Sequence, residues 1–190
     1  MRKSPILQLY KSKDTVFTTR EIALIWREDN VARLKNKIKY YLDKGDLISL
    51  RRGVYAKADY NIQEVGVQLY KPSYISFETI LSQAGMIFQY YEKVFVASYL
   101  SREIVLKNNQ KIKYRKLKND ILLNERGIQQ NNGVATASAE RAFLDMAYIN
   151  PNYYFDSLAG IDWGTCLELV KIYKNKSLEK LVKNYQKQYA

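Results

Sequence analysis

Five polar side chains recur along NVARLKNKIKYYLDKG, residues 30–45: Arg33, Asn36, Lys37, Lys39 and Tyr40. Two more, Arg51 and Arg52, stand before Gly53 in LISLRRGVYAKA, residues 47–58. Arginine and asparagine offer paired hydrogen-bonding groups that match base edges in a major groove, and lysine is a compact cation suited to phosphate. A tight turn needing only positive backbone angles is met by Asn-Gly without added charge. Two cations at such a tip therefore suggest an anionic partner.

The whole chain leans the same way. It has 190 residues, 31 Lys and Arg against 19 Asp and Glu, and a net charge of +12; a polyanion or an acidic protein face suits that balance. Residues 1–58 hold 14 of the cations and 6 of the acids, so less than a third of the chain carries +8 of the excess. Histidine is absent and cysteine occurs once, at Cys166, which excludes finger- or ribbon-type zinc sites and an internal disulfide. No metal or cofactor is implied. With no apolar signal segment or membrane span in the sequence, a cytoplasmic protein without membrane contact is expected.

Local signals indicate what positions the seven side chains. Pro5 opens a first helix in SPILQLYKSK. In VFTTREIALIWRE, Thr18 and Glu21 have capping-box spacing, with Phe17 and Ile22 placed as a hydrophobic staple. After the polar break at residues 27–30, Asn30 or Asp29 caps a helix that Gly45 ends. Its apolar face is Val31, Leu34, Ile38, Tyr41 and Leu42, leaving Ala32, Arg33, Asn36, Lys39 and Tyr40 outward, flanked by Lys35 and Lys37. A two-stranded ribbon turning at Arg51–Gly53 follows. Taken singly, each charge run is equally a solvated surface. Their order, helix, helix, short turn, basic helix and cationic ribbon, predicts a winged helix-turn-helix over residues 1–58.

Residues 59–190 read as a second domain of mixed α+β class. YNIQEVGVQLY is predicted helical; Tyr74 and Ile75 are extended, and a helix capped by Ser76 runs to Gly85. VFVAS is a strand, and REIVLK with QKIKYRKLK forms a hairpin at Asn108–Asn109. Alternation places Lys111, Lys113 and Arg115 outward, opposite Ile112 and Tyr114. Ser138 starts a helix carrying Glu140, Arg141 and Asp145, and helical patterns close the chain around 164–174 and 177–188. Glu140 and Asp145 stand about 140° apart on a helix, poorly placed to share an ion, so a buried ion-pair network with Arg141 is expected. The seventeen tyrosines are expected mainly in packing, and Cys166 as a small buried hydrophobe.

LRRGVYAKA, PSYISFETILSQAGMI, VFVAS, the basic hairpin and ASAERAFLDMAYI occur in an order that resembles the AbiE abortive-infection antitoxin family of bacterial type IV toxin-antitoxin systems, from about residue 15 to 175. The resemblance implies an N-terminal winged helix-turn-helix that represses its own promoter at inverted repeats. It also implies a C-terminal domain that counteracts a nucleotidyltransferase toxin. Arg33, Asn36 and Lys37 would read DNA, joined on the residue reading by Lys39 and Tyr40; Arg51 and Arg52 would be the wing. Lys111, Lys113 and Arg115 would meet the toxin or its RNA target. Where the family often has proline before Glu140, this chain has Ala139. The resemblance carries over no catalytic residue, and a non-enzyme is expected. A plain winged-helix regulator without a toxin, and a DNA-targeted metal-dependent nuclease, are the alternatives.

Overall fold

The computed structural model describes residues 4–131 and 133–189. It is α+β, and it divides into two compact units: Met1–Val65 with Val105–Gln110, and Gly66–Ile104 with Lys111–Ala190. The sequence boundary at residue 58 differs from this division in two ways. The first unit runs seven residues further, and it takes in the tip of the hairpin expected to lie wholly in the second.

The first unit contains α1 (Pro5–Tyr10), β1 (Val16–Thr18), α2 (Thr19–Trp26), α3 (Val31–Asp43), β2 (Ile48–Arg51) and β3 (Val54–Ala56). The starts of α2 and α3 follow their capping chemistry. The Thr18 hydroxyl accepts from the Glu21 amide at 3.3 Å while the Glu21 carboxylate accepts from the Thr18 amide at 2.7 Å, and the Asn30 side chain accepts from the Arg33 amide at 3.0 Å. Leu9, Phe17, Ile22, Trp26, Leu34, Ile38, Tyr41 and Leu47 form one core, each large side chain contributing about 1.5–3 kcal/mol by leaving water. Val31 is not part of it. At the first turn of α3 it is 63% exposed, a correction to the expected apolar face.

β1, β3 and β2 form an antiparallel sheet in that order. β1, for which the sequence carries no strand signal, is held by Glu64: this buried carboxylate accepts from the Thr15 and Val16 amides, both at 2.9 Å, and from the Thr15 hydroxyl at 2.6 Å. Lys57 is also turned inward, its ammonium donating to the Ser12 carbonyl at 2.8 Å. At the hairpin tip the Lys107 amide donates to the Leu50 carbonyl at 3.1 Å and its ammonium to the Ser49 hydroxyl at 2.9 Å.

The helix α4 (Ile62–Leu69) leads to the second unit. That unit contains β4 (Ser73–Ile75), α5 (Glu78–Gln83), β5 (Lys93–Ser98), β6 (Arg102–Val105), β7 (Lys111–Lys116), α6 (Asn119–Leu122), β8 (Ile128–Asn131), β9 (Val134–Ala137), α7 (Ala139–Ile149), α8 (Trp163–Leu169), a 3-10 turn (Val170–Tyr173) and α9 (Lys176–Tyr189). Six strands form one mixed sheet, ordered β6-β7-β5-β4-β9-β8. β5–β7 and β4–β9 are parallel; β4–β5 and β8–β9 are antiparallel. Ile112 and Tyr114 are buried and Asn109 is left-handed at φ 65°, both as alternation and turn chemistry predict. Ser76 does not cap α5. Its hydroxyl donates to Asp145 at 2.8 Å, and Phe77, at φ 55°, takes the cap position without a side-chain bond.

Behind the sheet lies a fully buried charge network. Arg141 and Asp145 pair at 3.4 Å, one turn apart on α7. The hydroxyls of Tyr173, Ser76 and Tyr74 donate to Asp145 at 2.6, 2.8 and 3.0 Å. The guanidinium of Arg141 donates to the carbonyls of Ile121, Arg126 and Asn124 at 2.7, 2.8 and 3.3 Å, pinning the 121–126 loop. Complete burial pushes the Asp145 carboxyl above its ordinary range, against the pull of Arg141 and the three hydroxyl donors. Glu140, expected in this network, is outside it; its carboxylate accepts from the Asp162 amide at 3.5 Å. Gly127 fits this loop because it sits at φ +74° with Arg141 Cβ 3.0 Å from where its own Cβ would be. Gly127→Ala is expected to destabilise by about 2–4 kcal/mol in urea denaturation, from backbone strain and overpacking together.

Candidate nucleic-acid interface

α3 is amphipathic because its apolar residues return every three or four positions, and the inward set leaves the rest to solvent. Ala32, Arg33, Lys35, Asn36, Lys39 and Tyr40 are all exposed. Arg33 lies one turn from the Asn30 cap, so its backbone is fixed while its side chain is open. Tyr40 is half-exposed and held in place: its ring meets Tyr41 edge-on at 5.1 Å, and the Lys44 ammonium lies 4.6 Å from its centroid. Lys37 differs from its neighbours. It pairs with Glu28 at 2.5 Å, and that hydrogen bond holds the Glu28 carboxyl below the usual carboxylate range.

The turn between β2 and β3 is tight. Arg51 pairs with Val54 across the ladder, which leaves Arg52 and Gly53 as the two turn residues, Gly53 at φ 77°. The Gly53 carbonyl accepts from the Thr19 amide at 3.0 Å and from the Thr19 hydroxyl at 3.4 Å, tying the turn to the start of α2. Arg52 is exposed and Arg51 half-buried. All seven residues predicted for DNA thus lie in the first unit. The structure adds Lys107 to that unit through the hairpin tip, a placement with no signal in the local sequence.

The three hairpin cations have separate fates. Lys111 and Lys113 are half-buried, and Lys113 shares Glu103, at 3.7 Å, with Lys93 at 3.0 Å. Arg115 is not an outward cation. It clasps the buried carboxylate of Glu78 at 2.5 and 2.6 Å and lies over the rings of Phe95 and Phe77. Alternation assigned the correct face, but α5 covers that face at Arg115. Arg115→Ala is expected to cost about 2–3 kcal/mol of stability because Glu78 is left without its partner, whereas Lys113→Ala changes it by no more than about 0.5 kcal/mol; urea denaturation of the two variants measures the contrast.

Among the described residues no group of three or more acidic or cysteine side chains could hold a metal ion, and no helix is long and apolar enough to cross a membrane. No protein-family model matches the chain. No curated protein matches it. Among solved structures, the RV2827C protein from Mycobacterium tuberculosis is similar in fold, with a TM-score of 0.50 and 11% sequence identity, over 94% of this chain and 69% of that one.

Proposed function

We propose that the protein is a DNA-binding autorepressor and antitoxin whose first unit is a winged helix-turn-helix. In this reading α2 and α3 are the helix-turn-helix, with α3 in the major groove, and the β2–β3 turn is the wing. The observation that carries it is the open face of α3, with Arg33, Asn36, Lys39 and Tyr40 presented together. Arg33 and Asn36 read base edges, Lys39 and Tyr40 meet the backbone, and Arg51 and Arg52 grip phosphate or the neighbouring minor groove. Lys37, paired with Glu28, contributes less than the sequence pattern implies.

On the resemblance to AbiE antitoxins, the second unit counteracts a nucleotidyltransferase toxin in phage defence. Lys111 and Lys113 are then the cations that meet its RNA target, and the protein performs no catalysis itself. A neighbouring nucleotidyltransferase gene separates this from a plain regulator.

Footprinting on the gene's own upstream DNA tests the reading, with a protected inverted repeat as the expected result. Arg51→Ala with Arg52→Ala should weaken that binding and flatten its salt dependence by about 0.9 log unit per log salt for each phosphate no longer neutralised. Absence of a protected repeat overturns the proposal, and an unchanged slope returns both arginines to the solvated surface.

A further inference from the structure

The loop of residues 86–92, between α5 and β5, and that of residues 150–162, between α7 and α8, form an exposed aromatic platform in the second unit. Phe88, Tyr90 and Tyr154 are 75%, 83% and 79% exposed, contrary to the packing role expected for most tyrosines. With Tyr91, Tyr153 and Asp156 they border a cleft of about 340 Å³. The platform is built rigidly. Asp156 accepts from the Phe88 amide at 2.7 Å and its own amide donates to the Met86 carbonyl at 2.9 Å, fastening one loop to the other. Beneath them Phe155 is buried against Phe143 and Tyr153, each with ring centroids 5.0 Å away.

Its charge is opposite to that of the chain. No lysine or arginine occurs at residues 72–92 or 142–170, although the protein carries 31 of them. The exposed charges of the two loops are Glu92, Asp156 and Asp162. A nucleic acid or an anionic lipid surface is repelled by such a rim. A second copy docked through the same patch would set Asp156 against Asp156. Large rigid aromatics that order cheaply on binding mark a protein interface, and exposed tyrosine rings stack readily with arginine.

We infer that this platform docks a protein face with an apolar centre ringed by lysine and arginine. Resting on the antitoxin reading, the partner is the nucleotidyltransferase itself, because an enzyme that handles nucleotides and RNA presents a cationic face. The platform and the hairpin lysines then serve different partners, protein and polyanion.

The test uses the full chain, the purified toxin encoded beside it, and cells expressing that toxin. Phe88→Ser, Tyr90→Ser and Tyr154→Ser together should weaken toxin binding at least about 100-fold and abolish protection. Glu92→Lys should weaken binding about tenfold and reduce its salt dependence. Both variants should bind operator DNA as before, which checks folding. If the unmodified chain gives no protection, the antitoxin reading and this assignment fall together. If it protects and the triple variant protects equally, only the platform is wrong. Protection without binding of the purified proteins overturns the platform as well, as does a sedimentation result in which the same three residues join two copies of the chain.

Discussion

Arg141→Met is expected to lower stability by about 3–5 kcal/mol, the largest single-residue loss in the second unit, because it strands a buried carboxylate and removes the donor from three carbonyls. The pair and its partners are fully enclosed, so water cannot replace the guanidinium. The loss should depend on pH. Burial already raises the Asp145 carboxyl, so the folded chain binds that proton more tightly than the unfolded chain. That contribution favours folding at acid pH and is lost as pH rises through the folded value. Without Arg141 the shift grows, so the deficit should be greatest at neutral pH and recede on acidification. Asp145→Asn should cost less, about 1–3 kcal/mol, since its amide oxygen still accepts from the hydroxyls of Tyr173, Ser76 and Tyr74. Urea denaturation of both variants at neutral and acid pH checks this; a pH-independent loss for Arg141→Met would show that the three carbonyls, not the carboxylate, dominate.

Arg33→Ala and Asn36→Ala are each expected to cost about 1–3 kcal/mol on the cognate operator, roughly 10- to 100-fold in Kd, and much less on random DNA. Both are exposed on α3, so stability should be little changed. Lys39→Ala should weaken both DNAs alike, as removal of a phosphate-binding cation does. Lys37→Ala should have the smallest effect of the four, because its ammonium is engaged by Glu28. Titration of each variant against operator and scrambled duplexes gives the ratios. Equal losses on both duplexes for Arg33 and Asn36 would remove them from base reading.

What the sequence reveals about this fold follows the range of the interactions involved. Thr18, Asn30 and Ser138 are legible as helix starts because each cap bond closes within three residues. Ser76 has the same chemistry and misleads, since its hydroxyl is taken by Asp145 from far along the chain. β1 is three residues long, and β8, Ile-Gln-Gln-Asn, has no apolar alternation, so neither carries a strand pattern. The face of α3 is readable from its period; the engagement of Lys37 and Arg115 is not, because the acids that hold them, Glu28 and Glu78, lie outside their own elements. The aromatic platform is invisible for a related reason: apolar residues in loops read as packing until the fold leaves them uncovered.

The mixed sheet also sets the order in which the chain can assemble. β6 and β7 are joined by a short turn and can pair as soon as both exist, at small loop-closure cost. β4 has its parallel neighbour in β9, with Ile75 opposite Thr136, and that rung must wait for everything between them to be synthesised and drawn together. Non-local parallel pairing of this kind slows folding. The first unit is affected too, because it includes Val105–Gln110; a nascent chain released only to residue 65 lacks part of it. Pulse-labelled hydrogen exchange during refolding should accordingly protect the amides of β7 before those of β9.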